Sequence, residues 1–535
     1  MTTCGEELVA LLEQRGVRTV FGIPGVHTLE IYRGLAASGI RHVTARHEQG
    51  AGFMADGWSR VADEPGVALV ITGPGVTNAM TPLGQARHDG TPLLVVSASV
   101  RTDHLGRGLG VIHDLPDQAA MTRAVTRRTV VVRDPADLAA GVDEAWRVLS
   151  GLDGPRGPVH LEVPMDVLRQ PAVGGATAPA AEAAPLPDDV IAEVTRLLAA
   201  AERPALILGG GARNAGPHAI AIAEAVGAPI GLTINAKGAV PGDHPLCVPS
   251  RMMFAPLDRL FAEADVVLAL GTQLSDLDWW MQEGGFPGTG AVIRVDADPV
   301  SLATHVEPAL AVQADAREAA AAIAAALPPG DGARAAATAA RIAEAAAAIA
   351  WPPDVSRFLP AVRALDAALP RDRIVCVDST QLGYAANHAL DVHLPGSWLM
   401  PIGFGCLGPA LPMAIGARLA APDRPVVAIA GDGGFLFTLQ ELATARDLGL
   451  PLPVVVWNNA GYGEIRDAMA HASMPAIGTD ATAHDIPAIA RGFGCLGERP
   501  ADVAAFGEAV RTALAADRPT VIELTPATEG VLHAV

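Results

Sequence analysis

Apolar runs and amphipathic stretches alternate along almost the whole chain. The runs are short and rich in Val, Ile and Leu, as in buried strands, and the stretches between them carry apolar residues at helical spacing. This alternation predicts an α/β fold with mainly parallel sheets covered by helices. The predicted strands span residues 18–21, 40–43, 67–71, 93–96, 159–163, 205–208, 266–270, 292–295, 374–377, 426–430, 452–457 and 520–524.

Two breaks in this pattern divide the chain into three blocks. Residues 171–187 are rich in Pro, Ala and Gly, which predicts a linker. The Ala-rich stretch 314–350 is interrupted by prolines and glycines at 328–332, which predicts a helix, a linker and a second helix. A length of 535 residues also suits about three domains. We therefore predict three doubly wound α/β domains, over residues 1–169, 188–327 and 354–535.

The net charge and the cysteines limit the partners and the cellular compartment that we expect for this protein. The 38 basic and 58 acidic residues give a net charge of −20, which argues against nucleic acid and anionic membranes as partners. No apolar run approaches the ~20 residues of a membrane span, and the N-terminus lacks a signal-peptide pattern. We predict a soluble, cytoplasmic protein whose five scattered cysteines stay reduced. These are Cys4, Cys247, Cys376, Cys406 and Cys495.

A carboxylate follows one predicted strand and a carboxamide follows the next. Asp432 comes directly after the strand at 426–430, and Asn459 lies 27 positions further on, which leaves room for a helix and a returning parallel strand. Both side chains then lie at the carboxyl edge of the sheet, where open α/β sheets bind ligands. Such oxygens suit Mg²⁺, which usually also binds phosphate. Neighbouring glycines let backbone amides approach a diphosphate, and they are Gly431, Gly433 and Gly434.

These two strings resemble the diphosphate-binding signature of thiamine-diphosphate (ThDP) enzymes, and further strings extend the resemblance over essentially the whole chain. Residues 45–55 and 72–78 resemble the catalytic-glutamate region and the Gly-Pro-Gly turn of the acetolactate synthase group. Residues 405–412 resemble the string that precedes the metal motif in that group. The resemblance implies a pyrimidine-binding, a middle and a diphosphate-binding domain, with ThDP and Mg²⁺ as cofactors.

The resemblance also assigns roles to single residues. Glu48 would bond the cofactor's pyrimidine N1′ and favour the tautomer that takes the C2 proton. Taken alone, it would be interpreted as a solvated loop residue or an ion-pair partner of Arg46 or His47. Leu407 would hold the cofactor in a bent conformation, and the Gly405 carbonyl would accept from the pyrimidine amine.

The metal would be held by Asp432, the Asn459 side chain and the Gly461 carbonyl, by the same resemblance. Without that resemblance, Asp432 would be a buried residue of an ordinary turn between a strand and a helix. The other expected cofactor contacts are Gly25, Gly75, Asn78, Thr380, Gln381, Gly431, Gly433, Gly434 and Tyr462.

Four residues are candidates for catalysis or for contact with the substrate: His27, His113, Asp114 and Glu464. Acetolactate synthases commonly carry Phe-Gln where His113-Asp114 align. A His-Asp pair can transfer protons, which decarboxylation requires before an aldehyde leaves. Without this role, His113 would be a surface loop residue and Glu464 a charge favoured at a helix N-terminus.

Three strings, at 21–28, 233–238 and 458–466, resemble 5-guanidino-2-oxopentanoate (2-ketoarginine) decarboxylases. The predicted function is therefore non-oxidative decarboxylation of a 2-oxo acid, with 5-guanidino-2-oxopentanoate as the candidate substrate. Its guanidinium would pair with Asp114 and Glu464. The alternative is an acetolactate-synthase-like carboligase, and a third reading is a catalytically silent nucleotide-binding relative. Motifs of serine hydrolases and P-loop NTPases are absent from the sequence.

The assembly and the middle domain complete the expectations. In the family the two ends of the cofactor lie on different subunits, so the resemblance implies a homodimer at least and a homotetramer as the expected assembly. In the middle domain, Gly209-Gly210-Gly211 follows a predicted strand. A tight strand-helix turn explains these glycines as well as a nucleotide does, so FAD or ADP is left open there and neither is predicted.

Overall fold

The computed structural model describes residues 2–175, 185–279 and 286–532. In these residues three six-stranded sheets lie among helices, and every pairing between their strands is parallel. The predicted fold class is therefore confirmed. Most of the predicted linker, at residues 176–184, lies outside the described residues.

The first sheet contains β1 to β6 in the order β2-β1-β3-β4-β6-β5. Its strands are β1 Thr19–Gly22, β2 Arg41–Thr44, β3 Gly66–Val70, β4 Leu93–Ser99, β5 Arg128–Val131 and β6 Val159–Pro164. The accompanying helices are α1 Cys4–Gln14, α2 Leu29–Ala37, α3 Glu48–Ala62, α4 Pro74–Asn78, α5 Met80–Asp89, α6 Gln118–Arg123, α7 Leu138–Leu149 and α8 Met165–Leu168.

The second sheet contains β7 to β12 in the order β12-β11-β10-β7-β8-β9, which is the dinucleotide-fold order. Its strands are β7 Pro204–Leu208, β8 Ile230–Leu232, β9 Cys247–Pro249, β10 Val266–Leu270, β11 Ala291–Asp296 and β12 Leu310–Gln313. The helices are α9 Asp188–Ala200, α10 Gly216–Val226, α11 Arg259–Ala262, α12 Pro299–Ala303, α13 Ala316–Ala326 and α14 Ala333–Ala347. The last two match the predicted helix, linker and helix.

The third sheet contains β13 to β18 in the order β14-β13-β15-β16-β18-β17, and so repeats the strand order of the first. Its strands are β13 Ile374–Val377, β14 Trp398–Leu399, β15 Val426–Gly431, β16 Pro453–Trp457, β17 Leu496–Glu498 and β18 Thr520–Leu524. The helices are α15 Pro353–Ser356, α16 Leu359–Ala368, α17 Gln381–Ala389, α18 Ala410–Ala420, α19 Asp432–Thr438, α20 Glu441–Asp447, α21 Gly463–His471, α22 Ile486–Gly492 and α23 Val503–Leu514.

Five short 3-10 helices complete the regular structure of the described residues. They span Val26–Thr28, Pro135–Asp137, Gly210–Ala212, Ile234–Ala236 and Asp276–Trp279. The central strands read as continuous apolar runs because helices cover both faces: all seven residues of β4 and all five of β16 are buried.

Helices α3 and α18 join the first and third domains through a shared apolar core. A Cβ added at Gly57 of α3 would overlap the carbonyl of Met413, and one added at Gly416 of α18 would overlap the carbonyl of Met54. The two backbones therefore meet directly, which only glycine permits at these positions. This crossing fixes the start of α3 relative to the third domain.

Within the described residues no helix is long and apolar enough to cross a membrane. All five cysteines are buried and unpaired, as the sequence predicted.

Candidate active site

Glu48 is the first residue of α3 and its side chain is buried, with 8% exposed. Asn78 donates a hydrogen bond from Nδ2 to Glu48 Oε2 at 2.9 Å. A Cβ added at Gly75 would lie 3.5 Å from Glu48 Oε1, and one at Gly25 would overlap the side chain of Ile71. The structure thus brings Glu48, Asn78 and Gly75 together, with one carboxylate oxygen bonded and the other facing a residue without a side chain.

Glu441, which the sequence analysis missed, holds the backbone just ahead of Glu48. It comes from α20 of the third domain and is fully buried. Its carboxylate accepts hydrogen bonds from the backbone N–H groups of Arg46 at 3.1 Å and His47 at 3.0 Å, and from the Thr444 hydroxyl at 2.8 Å. Burial raises the pKa of Glu441 to about 7. No sequence signal separates this glutamate from the other acidic residues.

We predict a pH-dependent contribution of Glu441 to folding. A carboxyl whose pKa is raised in the folded state contributes stability that is present below its unfolded pKa and lost as pH rises through 7. Between about pH 4 and pH 8, wild-type protein should lose about 3 kcal/mol of unfolding free energy relative to Glu441→Gln. Urea denaturation at each pH measures this difference.

Glu508→Gln is the matched control for that measurement, because Glu508 is exposed and forms its ion pair with Arg511 on the same helix. Its unfolding free energy should follow the wild-type dependence on pH. Equal slopes of unfolding free energy against pH for wild type and Glu441→Gln would contradict a raised pKa of Glu441. The amide of the Glu441→Gln variant should lower the unfolding free energy at every pH, because its NH₂ group would face N–H and O–H groups that are themselves donors. The deciding quantity is therefore the slope of the unfolding free energy against pH, not its absolute value.

Asp432 and Asn459 lie at the carboxyl edge of the third sheet. Asp432 follows β15 directly, is buried with 8% exposed, and accepts the Gly461 N–H at Oδ2 over 2.9 Å. Burial raises the pKa of Asp432, and the N–H of Gly461 opposes the shift. Asn459 donates from Nδ2 to Gln381 Oε1 at 3.2 Å, while its Oδ1 is buried without a hydrogen-bond partner among the described residues.

These oxygens fit a small hard cation. The Asn459 Oδ1 has no hydrogen-bond partner among the described residues, and the Asp432 carboxylate accepts the Gly461 N–H through one of its two oxygens. The remaining oxygen atoms are therefore available to coordinate Mg²⁺. Among the described residues no group of three His, Cys, Asp or Glu side chains could hold a metal. The predicted set differs, since it combines one carboxylate, one amide and the Gly461 carbonyl. Gly461 itself has φ of 150°, within the range that favours glycine.

The glycines after β15 let other predicted residues approach. A Cβ at Gly431 would lie 3.0 Å from Thr380 Oγ1, and one at Gly433 would lie 2.9 Å from the ring of Tyr462. Side chains at these positions would push both groups away. Thr380 and Tyr462 therefore each pack against a glycine at the start of α19.

Asp378, a second missed residue, organises the loop before α18. It is buried and accepts the Gly408 N–H at 2.9 Å, and a Cβ at Gly434 would overlap its carboxyl group. Burial raises the pKa of Asp378 to about 7. Gly405 has φ of 65° and no atom would lie within 4 Å of an added Cβ, so its backbone faces open space. Leu407 is half-buried in the same loop.

His27 and His113 meet although 86 positions separate them. Their ring centroids are 5.2 Å apart in an edge-on contact. His27 is buried, and burial together with the charge of His113 lowers its pKa. His113 has φ of 65°, a strained value for a residue with a side chain, and its carbonyl would lie 2.7 Å from a Cβ at Gly73. Asp114 Oδ1 is buried without a partner among the described residues.

Glu464 stands apart from this pair. It lies in the first turn of α21 in the third domain, and its side chain is exposed. Partial burial of the carboxyl group and the charges of Asp467 and Asp354 raise the pKa of Glu464. Within one chain, no hydrogen bond among the described residues joins it to His113 or Asp114.

The glycine cluster of the middle domain packs two turns together. A Cβ at Gly209 would overlap the carbonyl of Gly271, and one at Gly211 would lie 3.1 Å from its Cα. The Gly211 N–H also donates to the Gly271 carbonyl at 3.1 Å. Close packing of the turns after β7 and β10 is therefore sufficient to explain these glycines.

Comparison with known proteins gives the same three-part division. Residues 2–121 match the N-terminal TPP binding domain of thiamine pyrophosphate enzymes, residues 191–323 their central domain, and residues 378–524 their C-terminal TPP binding domain. Together these matches cover most of the chain.

Individual relatives span nearly the full length. The chain is 44% identical to a probable 2-ketoarginine decarboxylase of Pseudomonas aeruginosa, over 98% of this chain and 94% of that protein. It is 32% identical to the large subunit of acetolactate synthase isozyme 1 of Escherichia coli, over 86% and 82% respectively. A solved thiamine diphosphate-dependent 4-hydroxybenzoylformate decarboxylase of Rhodococcus jostii aligns with a TM-score of 0.84 at 26% identity, over 98% of this chain and 99% of that chain.

Proposed function

The chain belongs to the thiamine pyrophosphate enzyme family, and we propose that it converts a 2-oxo acid into an aldehyde and CO₂ with ThDP and Mg²⁺. The observation that carries decarboxylation is the His27–His113 pair, since two imidazoles in contact can deliver a proton. The proposed substrate is 5-guanidino-2-oxopentanoate, supported by 44% identity to the Pseudomonas aeruginosa protein over 98% of the chain.

One end of the proposed site binds the diphosphate and the metal. Asp432, the Asn459 Oδ1 and the Gly461 carbonyl are proposed to hold Mg²⁺, which would neutralise the diphosphate charge. The diphosphate itself would contact backbone amides and side chains around the start of α19. These are Gly431, Gly433, Gly434, Thr380, Gln381 and Tyr462.

The other end holds the pyrimidine ring. When bound, ThDP supplies a nucleophilic carbon and an electron sink. Glu48 is proposed to exchange a proton with the pyrimidine nitrogen through Oε1, because Asn78 already occupies Oε2. Gly25 and Gly75 would let the ring approach, the Gly405 carbonyl would accept from its amine, and Leu407 would support the bent conformation.

His27 and His113 are proposed to supply the proton that replaces the lost carboxylate in the aldehyde. The lowered pKa of His27 keeps its ring neutral near pH 7, so that it can accept a proton from His113 or pass one to it. His113 adopts a strained backbone conformation, and its ring contacts the ring of His27 edge-on. Asp114, with an unpartnered buried oxygen, is available to a cationic substrate group.

We predict that Glu464→Gln discriminates between substrates with and without a charged tail. Loss of a charge-assisted hydrogen bond to the guanidinium should raise KM for 5-guanidino-2-oxopentanoate by about 10- to 100-fold. KM for 2-oxohexanoate, which has an uncharged tail, should stay within about twofold by the same argument. Steady-state kinetics with both acids measures the split.

Glu508→Gln serves as the control for this variant, since Glu508 is an exposed glutamate on α23. An equal rise of KM for both acids would indicate a general defect and would contradict contact between Glu464 and the guanidinium.

We further propose that the active enzyme is at least a homodimer, and a homotetramer in its full form, located in the cytoplasm. Glu48 and Asp432 of different subunits would then face opposite ends of one cofactor. The five buried free cysteines are consistent with a reducing compartment.

One experiment tests the activity directly. Purified protein is incubated with ThDP, Mg²⁺ and a panel of guanidino, indolic, aromatic and short aliphatic 2-oxo acids, and CO₂ and organic products are identified. An aldehyde as the product supports decarboxylation. A 2-hydroxy-3-oxo acid formed from two substrate molecules would instead support the carboligase function. The similarity to the acetolactate synthase subunit of Escherichia coli is the reason to test for that product. Failure to release CO₂ from any acid would overturn both.

A further inference from the structure

A cavity of about 300 Å³ opens in the first domain at the carboxyl ends of β4, β5 and β6. Its volume is at the lower end of the range for small-molecule sites. It is lined by none of the residues to which we assign cofactor or substrate contacts. Its polar and charged lining includes Thr72, Asp117, Gln118, Arg123, Arg133 and Glu162.

Positive charge gathers at the rim of this cavity. Arg123 and Arg133 are both exposed. Arg133 forms no ion pair or hydrogen bond with any residue that the structure describes, and Arg123 has only a 4.0 Å pair with Asp117. Each guanidinium group has free donors in a planar fork that matches the geometry of a carboxylate.

The floor of the cavity has the opposite character. Glu162 is 3% exposed and accepts a hydrogen bond from Gln118 Nε2 at 2.9 Å. Burial raises the pKa of Glu162, and the charge of Arg133 opposes that shift. The Thr72 hydroxyl is also buried, with 2% of the residue exposed, and has no hydrogen-bond partner among the described residues. The Thr72 hydroxyl therefore has hydrogen-bonding capacity that a ligand could satisfy, and Glu162 adds a buried carboxyl group to the same lining.

Gln118 connects this floor to the proposed active site. Its Oε1 accepts the Gly73 N–H at 2.8 Å, while its Nε2 donates to Glu162. Gly73 begins the turn that leads to Gly75, beside Glu48, and the carbonyl of His113 packs against Gly73. One side chain therefore contacts both the cavity floor and the turn that supports Glu48.

We propose that this cavity is a second ligand site for a small zwitterion, with its carboxylate on Arg123 and Arg133 and its cationic nitrogen on Glu162. Gln118 hydrogen-bonds both Glu162 in the cavity and Gly73 in the turn beside Glu48. A ligand bound in the cavity is therefore expected to change the mobility of residues 73–78. The class of ligand is an amino acid or a guanidino acid, because both carry a carboxylate and a cationic nitrogen, the two groups that these side chains complement.

Calorimetric titration of the ThDP–Mg²⁺ holoenzyme tests binding. The probes are L-alanine, L-ornithine and L-arginine, with pentanoate and agmatine as matched compounds that lack the cation or the carboxylate. At least one amino acid should bind, and tighter than either matched compound. Arg133→Gln should weaken binding by about tenfold or more, as expected for loss of a charge-assisted contact. Arg147→Gln, an exposed arginine paired with Asp153, should leave binding unchanged.

Hydrogen exchange tests the connection. In wild-type holoenzyme the bound amino acid should slow exchange of the amides at 73–78, and Gln118→Met should bind the probe without that protection. Absence of binding by all three amino acids, equal binding by Arg133→Gln, or unchanged exchange at 73–78 would each overturn the proposal. Neither measurement requires turnover, so a negative result here is distinguishable from failure of the proposed decarboxylase function.

Discussion

Replacing Glu48 with Gln is expected to lower kcat by about 10²- to 10⁴-fold while the protein still binds ThDP. The amide keeps the size of the side chain and can accept from Asn78, but it cannot take up or release the proton that the pyrimidine nitrogen requires. Stopped-flow or steady-state assays give kcat, and calorimetry with ThDP and Mg²⁺ gives the dissociation constant.

Glu144→Gln is the matched control, since Glu144 is a partly exposed glutamate of the same domain whose side chain pairs with Arg128. Its kcat should equal that of wild type. A Glu48→Gln enzyme with near-normal kcat would contradict the proposed proton exchange between Glu48 and the pyrimidine nitrogen. Loss of ThDP binding together with loss of activity would leave Glu48 a binding residue only, and proton exchange through Oε1 would then be wrong.

Replacing Asp432 with Ala is expected to weaken Mg²⁺-dependent retention of ThDP by about 100-fold or more. Changes outside the direct ligands of a metal typically reduce affinity by about 10- to 100-fold, so loss of the one carboxylate ligand should exceed that range. The variant also leaves the Gly461 N–H without its acceptor. ThDP affinity is measured at a series of Mg²⁺ concentrations.

Asp423→Ala provides the comparison, because Asp423 is exposed in the loop that precedes β15. Its ThDP affinity should match wild type at every Mg²⁺ concentration. Unchanged affinity in Asp432→Ala, or an equal loss with and without Mg²⁺, would count against a metal role for this carboxylate.

The central strands could be predicted from sequence because burial on both faces produces uninterrupted apolar runs. The strands at 266–270, 374–377 and 520–524 agree residue for residue with β10, β13 and β18. Six strands were missed, namely β5, β8, β9, β12, β14 and β17. Five of these lie at sheet edges and the sixth, β8, has three residues. Edge strands are short and half-solvated, as the partly exposed β17 illustrates, so their apolar pattern is weak.

The candidate site was predicted where the chemistry depends on residue type in a short string. Asp432 and Asn459 follow adjacent strands, and Glu48 and Asn78 follow two others, so these residues could be proposed from local motifs. Glu441 was missed because its partners are backbone amides nearly 400 positions away, which no local pattern encodes. The roles of all these residues remain predictions, and the variants above test those of Glu48, Asp432 and Glu441.

Contacts between distant segments also escaped prediction. His27 and His113 were each identified, yet their ring contact arises from the fold that brings the loops after β1 and β4 together. In the same way, Gln118 carried no sequence signal, although it bonds both Gly73 and Glu162. Long-range contacts of this kind are set by topology and not by the string in which a residue occurs.

The glycine crossing of α3 and α18 has a consequence for dissecting the molecule. Gly57 and Gly416 let the backbones of α3 and α18 pack directly against each other, so that each helix has a groove that the other fills. A truncated gene product carrying either terminal domain alone would present that groove to water, with the apolar cluster around it uncovered. Such fragments are poor candidates for separate expression, and the first and third domains of one chain should be handled as a single cooperative body.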